Sequence, residues 1–238
     1  MSLESEGPKE STPRNQWRKG IVLAPADNTL YRTYRDNHGF EKLALFVASR
    51  YFAIETRVHE TFRFVDLEPR NASTFSYEYA SLLRDIGGAF DSALKAFCRN
   101  VTGIKNPTIH NHLDFLRQNI RSSKPGELAD LTTISVELAS DRTDRFLYPF
   151  ADLCTDSPKS NLPKWWDAYN DVKHLEIEKF VEGNFKNVLN AFAALFVLFI
   201  LTDKDEGRGH SYKVFVGAKF AQMPMEWDRQ LSWFFKGS

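Results

Sequence analysis

The stretch WWDAYNDVKH, residues 165 to 174, carries three polar side chains whose types and spacing could do chemistry. On a helix, Asn170 and His174 lie one above the other, and Lys173 lies beside His174. A histidine exchanges protons near neutral pH, and a nearby lysine offsets negative charge on a phosphate. Asn170, Lys173 and His174 are therefore our candidate site for binding an anion or polarising a phosphate.

The same residues also fit a structural role. Trp165, Tyr169 and Val172 form an adjacent apolar stripe, so the polar residues lie at the margin of a buried helix face. There Asn170 and His174 could simply hydrogen-bond to the backbone where the helix ends. The chemical interpretation requires the imidazole to face a solvent-reachable hollow between helices, and the sequence leaves both alternatives open.

Other sequence motifs of catalysis or metal binding do not compete with this one. No phosphate-binding P-loop, dinucleotide-binding glycine motif or nucleophile-elbow serine motif is present. In the segment IHNH, His110 and His112 are two residues apart and would point to opposite sides of a helix, which is poor for a shared metal. We expect them to be surface or capping histidines, and we predict no metal site and no cofactor.

Five helical patterns surround and include the motif. Apolar residues recur at spacings of three and four from about Asn37 to Val65 and from Ser76, a candidate cap, to Val101. A third helix begins at Thr108. The fourth helix carries the motif, with Asn161 as its cap and Pro163 in its first turn. A fifth helix begins near Glu182 and contains the apolar run Val188 to Leu201. We predict an all-α fold, a bundle of four to five long helices.

The adjacent glycines Gly87 and Gly88 interrupt the second helical pattern. Each costs a helix about 1 kcal/mol relative to alanine. We expect close helix packing at this point rather than a kink.

Less regular segments flank and interrupt the bundle. We predict a disordered N-terminal tail over residues 1–28, the helical bundle over residues 29–205, and a C-terminal extension over residues 206–238 that docks on the bundle and includes a small strand or hairpin. Residues 122 to 163 should be loop with short helical or strand pieces.

Composition limits the class of protein further. With 31 basic and 31 acidic residues, the chain lacks the excess positive charge of a surface that attracts phosphate everywhere, although a local basic groove is compatible with it. The apolar run is shorter than the roughly 18 residues that span a bilayer, so we expect a buried helix and no membrane partner. The N-terminus does not resemble an export signal, and Cys98 and Cys154 fit buried free thiols, so we expect a cytoplasmic protein.

Together with its neighbouring helices, the motif resembles the HEPN superfamily of bacterial helical-bundle proteins. The segments that carry the resemblance are FSYEYASLLRDIGGAFDSALKAF, WWDAYNDVKH and NVLNAFAALFVLFIL, within residues 38 to 203. The family includes abortive-infection and toxin ribonucleases as well as members that only bind RNA or nucleotides. The resemblance implies an RNA- or nucleotide-directed role, for example as a metal-independent endoribonuclease in phage defence or a toxin–antitoxin system, and a homodimer whose site forms across two copies.

The family's ribonuclease signature is an arginine, then a polar residue, then a histidine. Asn170 and His174 match the last two positions, and Tyr169 stands where the arginine is expected. By this resemblance, His174 would exchange a proton with the ribose 2′-OH or the leaving oxygen, Asn170 would orient it, and Lys173 would offset charge on phosphorus. Because tyrosine lacks the guanidinium, cleavage and simple binding both stay open. The alternative from another class is a non-catalytic helical scaffold or sensor that binds a partner protein.

Overall fold

A computed structural model describes residues 22–25, 38–121, 128–138, 146–153, 162–174, 177–202 and 221–222. Within these residues the chain forms five α-helices: α1 (His38–Thr61), α2 (Tyr77–Thr102), α3 (Ile109–Asn119), α4 (Lys164–Lys173) and α5 (Phe185–Thr202). Short 3-10 helices lie at Pro69–Asn71, Leu131–Thr133 and Ile177–Glu182. The predicted all-α bundle is confirmed.

Helix α5 lies in the middle of the bundle, against α1 and α2. Sixteen of its eighteen residues are buried. The ring of Tyr51 in α1 stacks on Phe192 and Phe199 of α5, at centroid distances of 5.2 and 4.7 Å. Of the described helices, α5 alone is long and apolar enough to cross a membrane, and 89% of that stretch is buried inside the fold, as in a core helix.

Two predicted helix starts are confirmed by their capping contacts. The Ser76 hydroxyl accepts a hydrogen bond from the Tyr79 backbone N–H at 3.1 Å, and α2 begins at the next residue. Thr108 precedes α3, and its backbone N–H donates to the Asn111 side chain at 2.8 Å. These local bonds satisfy backbone donors that a helix start leaves free, which is why sequence finds them.

Two other helix starts differ from the prediction. Pro163, expected within the first turn of α4, is instead its N-cap, and its carbonyl accepts from Trp166 N–H at 2.8 Å. Asn161 is therefore not the cap, and its own structure lies outside the described residues. Helix α5 begins at Phe185 rather than near Glu182, because the Asn184 side chain accepts from the Asn187 N–H at 3.0 Å.

Short strands pair segments that are distant in the sequence. Strand β1 (Val22–Pro25) pairs antiparallel with β2 (Ile120–Arg121), and β3 (Val136–Leu138) lies between β4 (Phe146–Leu147) and β5 (Ala221–Gln222). Strand β1 belongs to the segment 1–28 that we predict to be disordered, and β5 belongs to the predicted extension 206–238. The other residues of both segments lie outside the described residues.

Cys98 is a buried free thiol, as predicted. Its sulfur donates to the Asn111 carbonyl at 3.7 Å, and burial raises the pKa of this thiol to about 11. It is therefore protonated and unreactive at neutral pH. Cys154 lies outside the described residues.

Candidate functional site

Helix α4 is held on α2 by an aromatic contact. The Trp165 ring meets Phe90 of α2 edge to face at 5.2 Å, and its indole Nε1 donates to the Pro149 carbonyl at 2.8 Å. Trp166 also packs edge-on against Phe90, at 6.2 Å. Both tryptophans are buried. Their packing on α2 therefore determines which face of α4 is turned towards α2.

Tyr169 completes this contact by packing directly on Gly87. Its ring atoms lie 2.3 to 2.8 Å from the point where a β-carbon on Gly87 would be, and the ring is 4% exposed. Only a residue without a side chain fits beneath the ring. The predicted close packing is confirmed at Gly87, whereas a β-carbon on Gly88 would meet no atom within 4 Å. Tyr169, which the resemblance aligns with the signature arginine, is a core residue.

The three candidate site residues share the C-terminal end of α4, which we call the α4 terminus. His174 and Lys173 are exposed, and Asn170 is partly buried. The His174 backbone N–H donates to the Asn170 carbonyl at 3.2 Å and closes the helix. Lys173 Nζ lies 5.3 Å from the centre of the Tyr169 ring, a cation–π distance. The structure thus brings the three residues together at a surface that solvent reaches.

Two polar side chains at this terminus are without a hydrogen-bond partner in the part of the chain that the structure describes. Within the described part of the chain, neither the Asn170 amide nor the His174 imidazole makes a hydrogen bond. The bonds that close the helix run through the backbone alone. An exposed imidazole beside an ammonium can exchange protons and attract an anion, which is the chemistry expected from the sequence.

A cleft lined by Lys164, Asp167 and Asp171 of α4 was not expected from the sequence. It has a volume of about 460 Å³, and its lining includes Lys164, Asp167, Asp171, Glu182, Lys186 and Asn187. Asp171 pairs with Lys179 at 2.8 Å. Burial, and then the neighbouring Asp171, raise the pKa of Asp167. The signal was the spacing of Asp167 and Asp171, four residues apart in the same motif, but sequence alone does not show which loop closes over them.

The expectation that both histidines of IHNH lie at the surface or cap a helix is wrong for His112. Its side chain is fully buried between α2 and α4, where it meets the Trp166 ring edge-on at 6.5 Å. Its Nδ1 lies 3.8 Å from an Asp91 carboxylate oxygen, and neither ring nitrogen has a hydrogen-bond partner among the described residues. Burial lowers the pKa of His112 to about 4, so the ring is neutral at pH 7. A neutral, ring-shaped side chain fits where α3 closes over the α2–α4 contact.

An exposed aromatic patch lies where α2 begins. It comprises the exposed Phe75, Tyr77 and Val181 and the partly buried Phe180. The Tyr77 and Phe180 rings are 4.4 Å apart, and Tyr77 is 82% exposed. Contiguous exposed apolar surface is a common feature of protein interfaces. In the described residues no group of three or more histidine, cysteine or acidic side chains could hold a metal ion.

Comparison with known proteins adds no relative: no family model, no curated protein and no solved structure matches the chain.

Proposed function

We propose that this chain is a HEPN-like helical domain that acts on RNA or on a nucleotide through the α4 terminus. The observation that carries the proposal is the exposure of His174 and Lys173 side by side, with the Asn170 amide one turn away and without a hydrogen bond to any residue that the structure describes. Such a group offers a proton donor or acceptor, a positive charge and an amide donor to one phosphate.

Binding is the part of this function that the geometry favours most. Tyr169 is buried against Gly87, so it cannot present a charge to a scissile phosphate as the signature arginine would. Lys173 supplies a point charge rather than a planar fork. In a cleaving enzyme, His174 would still move the proton of the ribose 2′-OH, without a metal ion.

The test compares RNA binding with RNA cleavage in the same variants. Lys173→Ala should weaken binding of a labelled single-stranded RNA, because a phosphate contact is lost, and should reduce the dependence of affinity on salt by about one counterion. His174→Ala should abolish any RNA cleavage or growth toxicity while the melting temperature stays unchanged. Wild-type affinity in Lys173→Ala together with wild-type toxicity in His174→Ala would contradict the proposal.

The second candidate function is a scaffold or sensor that binds a partner protein, and the exposed aromatic patch favours it. Tyr77→Ser should then abolish a stoichiometric complex with a defined partner, measured by sedimentation of the purified components. Leu45→Ser is the matched control, because Leu45 is also exposed at 72% but lies towards the opposite end of the bundle, where Phe40 of α1 contacts Phe97 near the end of α2. Equal loss in both variants would count against the patch as an interface.

A further inference from the structure

The contacts of α4 establish that it runs antiparallel to α2. Trp165, near the start of α4, packs on Phe90, and Tyr169, one turn later, packs on Gly87. Beyond α4 the chain approaches still earlier in α2, where a β-carbon on Gly183 would lie 2.7 Å from Ala80 Cβ. Positions after Tyr169 therefore lie beside positions before Gly87.

Arg84 of α2 is at the level of the α4 terminus by this register. It precedes Gly87 by three residues, which is about 4.5 Å along a helix axis. Asn170 to Lys173 follow Tyr169 by one to four residues, which is about 1.5 to 6 Å along α4 in the same direction. The two segments are thus side by side along the helix pair.

The buried His112 shows which side of the helix pair these residues share. Its ring approaches Asp91 on α2 and Trp166 on α4, so Asp91 and Trp166 face the same side, towards α3. Arg84 precedes Asp91 by seven residues, or two helical turns, and therefore lies on the same face of α2. Asn170 and Lys173 follow Trp166 by four and seven residues and lie on the same face of α4.

Arg84 also has no polar partner among the residues that the structure describes. It is exposed and, among the described residues, makes no hydrogen bond or ion pair. The acidic residues nearest to it along α2 behave differently, because Glu78 and Asp85 both pair with Arg57 of α1. Beside Arg84, a β-carbon on Gly88 would meet no atom within 4 Å, so the surface there is open.

We propose that Arg84, on α2 at the level of the α4 terminus, completes a phosphate-binding site with Asn170, Lys173 and His174. Its guanidinium supplies from a neighbouring helix the planar fork that Tyr169 cannot supply from α4. A guanidinium binds two oxygens of one phosphate, while Lys173 adds a point charge and the Asn170 amide adds a donor. The ligand class is a phosphodiester or phosphomonoester of a nucleotide. This site rests on the proposed function, because it adds a residue of α2 to the binding of the same RNA or nucleotide.

The experiment measures binding of a fluorescein-labelled, 20-nucleotide single-stranded RNA to the full chain by anisotropy at several salt concentrations. Arg84→Ala should weaken binding by about tenfold and lower the salt dependence by about one counterion. Arg84→Lys should recover only part of the affinity, because the charge returns without the fork. Arg63→Ala is the matched control: Arg63 is an exposed arginine just beyond the end of α1, and the variant should bind as wild type does.

The outcomes separate this site from the function on which it rests. Wild-type affinity and salt dependence in Arg84→Ala, with binding lost in Lys173→Ala, would overturn the role of Arg84 and leave the α4 terminus as an RNA site. No binding by the wild-type chain would overturn both. Displacement of the RNA by adenosine monophosphate would indicate a nucleotide ligand, and displacement only by unlabelled RNA would indicate a polynucleotide; either result, with the Arg84→Ala loss, supports the site.

Discussion

The body and the C-terminal end of helix α4 have opposite surroundings. The body forms the aromatic contact with α2, in which Trp165, Trp166 and Tyr169 are buried against Phe90 and Gly87. The C-terminal end is the α4 terminus, where Lys173 and His174 are exposed. The body holds the helix on α2 by shape and burial, whereas the exposed end adds little buried surface. The comparison shows how a ten-residue helix can be anchored along its length while its polar end stays available.

Tyr169 belongs to both regions, the aromatic contact and the α4 terminus. Its ring is part of the aromatic contact, and its outer face lies under the Lys173 ammonium. A charged residue at this position would have to be buried against Gly87, where charge is unfavourable. A guanidinium that joins Lys173 at the α4 terminus would therefore have to come from beside α4, as we propose for Arg84.

The largest expected effect is at the aromatic contact. Trp165→Ala should reduce the free energy of unfolding by about 3–5 kcal/mol, because it leaves a large cavity and removes the hydrogen bond to the Pro149 carbonyl. Urea denaturation followed by circular dichroism measures this. Trp165→Phe, which keeps most of the volume, should cost clearly less. A loss below about 1 kcal/mol in Trp165→Ala would mean that α4 is not anchored by this contact.

Acidification should affect the buried His112 next. Its pKa falls from 6.5 in the unfolded chain to about 4 in the fold, so the unfolded chain binds an extra proton between these values. The stability that this neutral ring contributes is complete above pH 6.5 and is lost as the pH falls to 4, by about 3 kcal/mol. Burial is the main cause; Asp91 opposes it and Lys95 adds to it.

Unfolding free energies at pH 7 and pH 4.5 test this pH dependence. His112→Phe keeps a ring against Trp166 and should lose less stability than wild type over this pH range, because it cannot take up the proton. His110→Gln, two residues earlier in α3, should behave as wild type. An acid loss in His112→Phe as large as in wild type would show that His112 does not carry the effect.

Alanine substitutions at Gly87 and Gly88 should change the free energy of unfolding by smaller amounts and in opposite directions. Gly87→Ala should destabilise the fold by about 1–3 kcal/mol, because its new methyl group would overlap the Tyr169 ring. Gly88→Ala should stabilise it by about 0.5–1 kcal/mol, because that site is open and alanine favours the helix. Equal effects at both positions, measured by chemical denaturation, would contradict the register of α4 on α2.

The smallest effects should be at the α4 terminus. Asn170→Ala and His174→Ala should each change the unfolding free energy by less than about 0.5 kcal/mol, because these side chains make no internal hydrogen bond among the described residues. A loss of about 1–3 kcal/mol in either variant would support the structural interpretation, in which these side chains end the helix.

The helices themselves were largely predictable from the sequence. The spacing of apolar residues predicts α1, α2 and α5, and the candidate cap Ser76 and the predicted beginning at Thr108 agree with the starts of α2 and α3, because these signals act over a single helical turn. The cap of α4 was mispredicted because Pro163 itself occupies that position. His112 was misplaced because its burial depends on α2 and α4, which are distant in the chain.

The sequence by itself determined that this chain forms apolar helices, and which residue types at the end of α4 could meet a phosphate. Only the tertiary structure decided that Tyr169 packs on Gly87 and that His112 is enclosed. The physical reason is range: helix periodicity and capping depend on neighbours within four residues, whereas burial and the grouping of charges depend on which helices pack together.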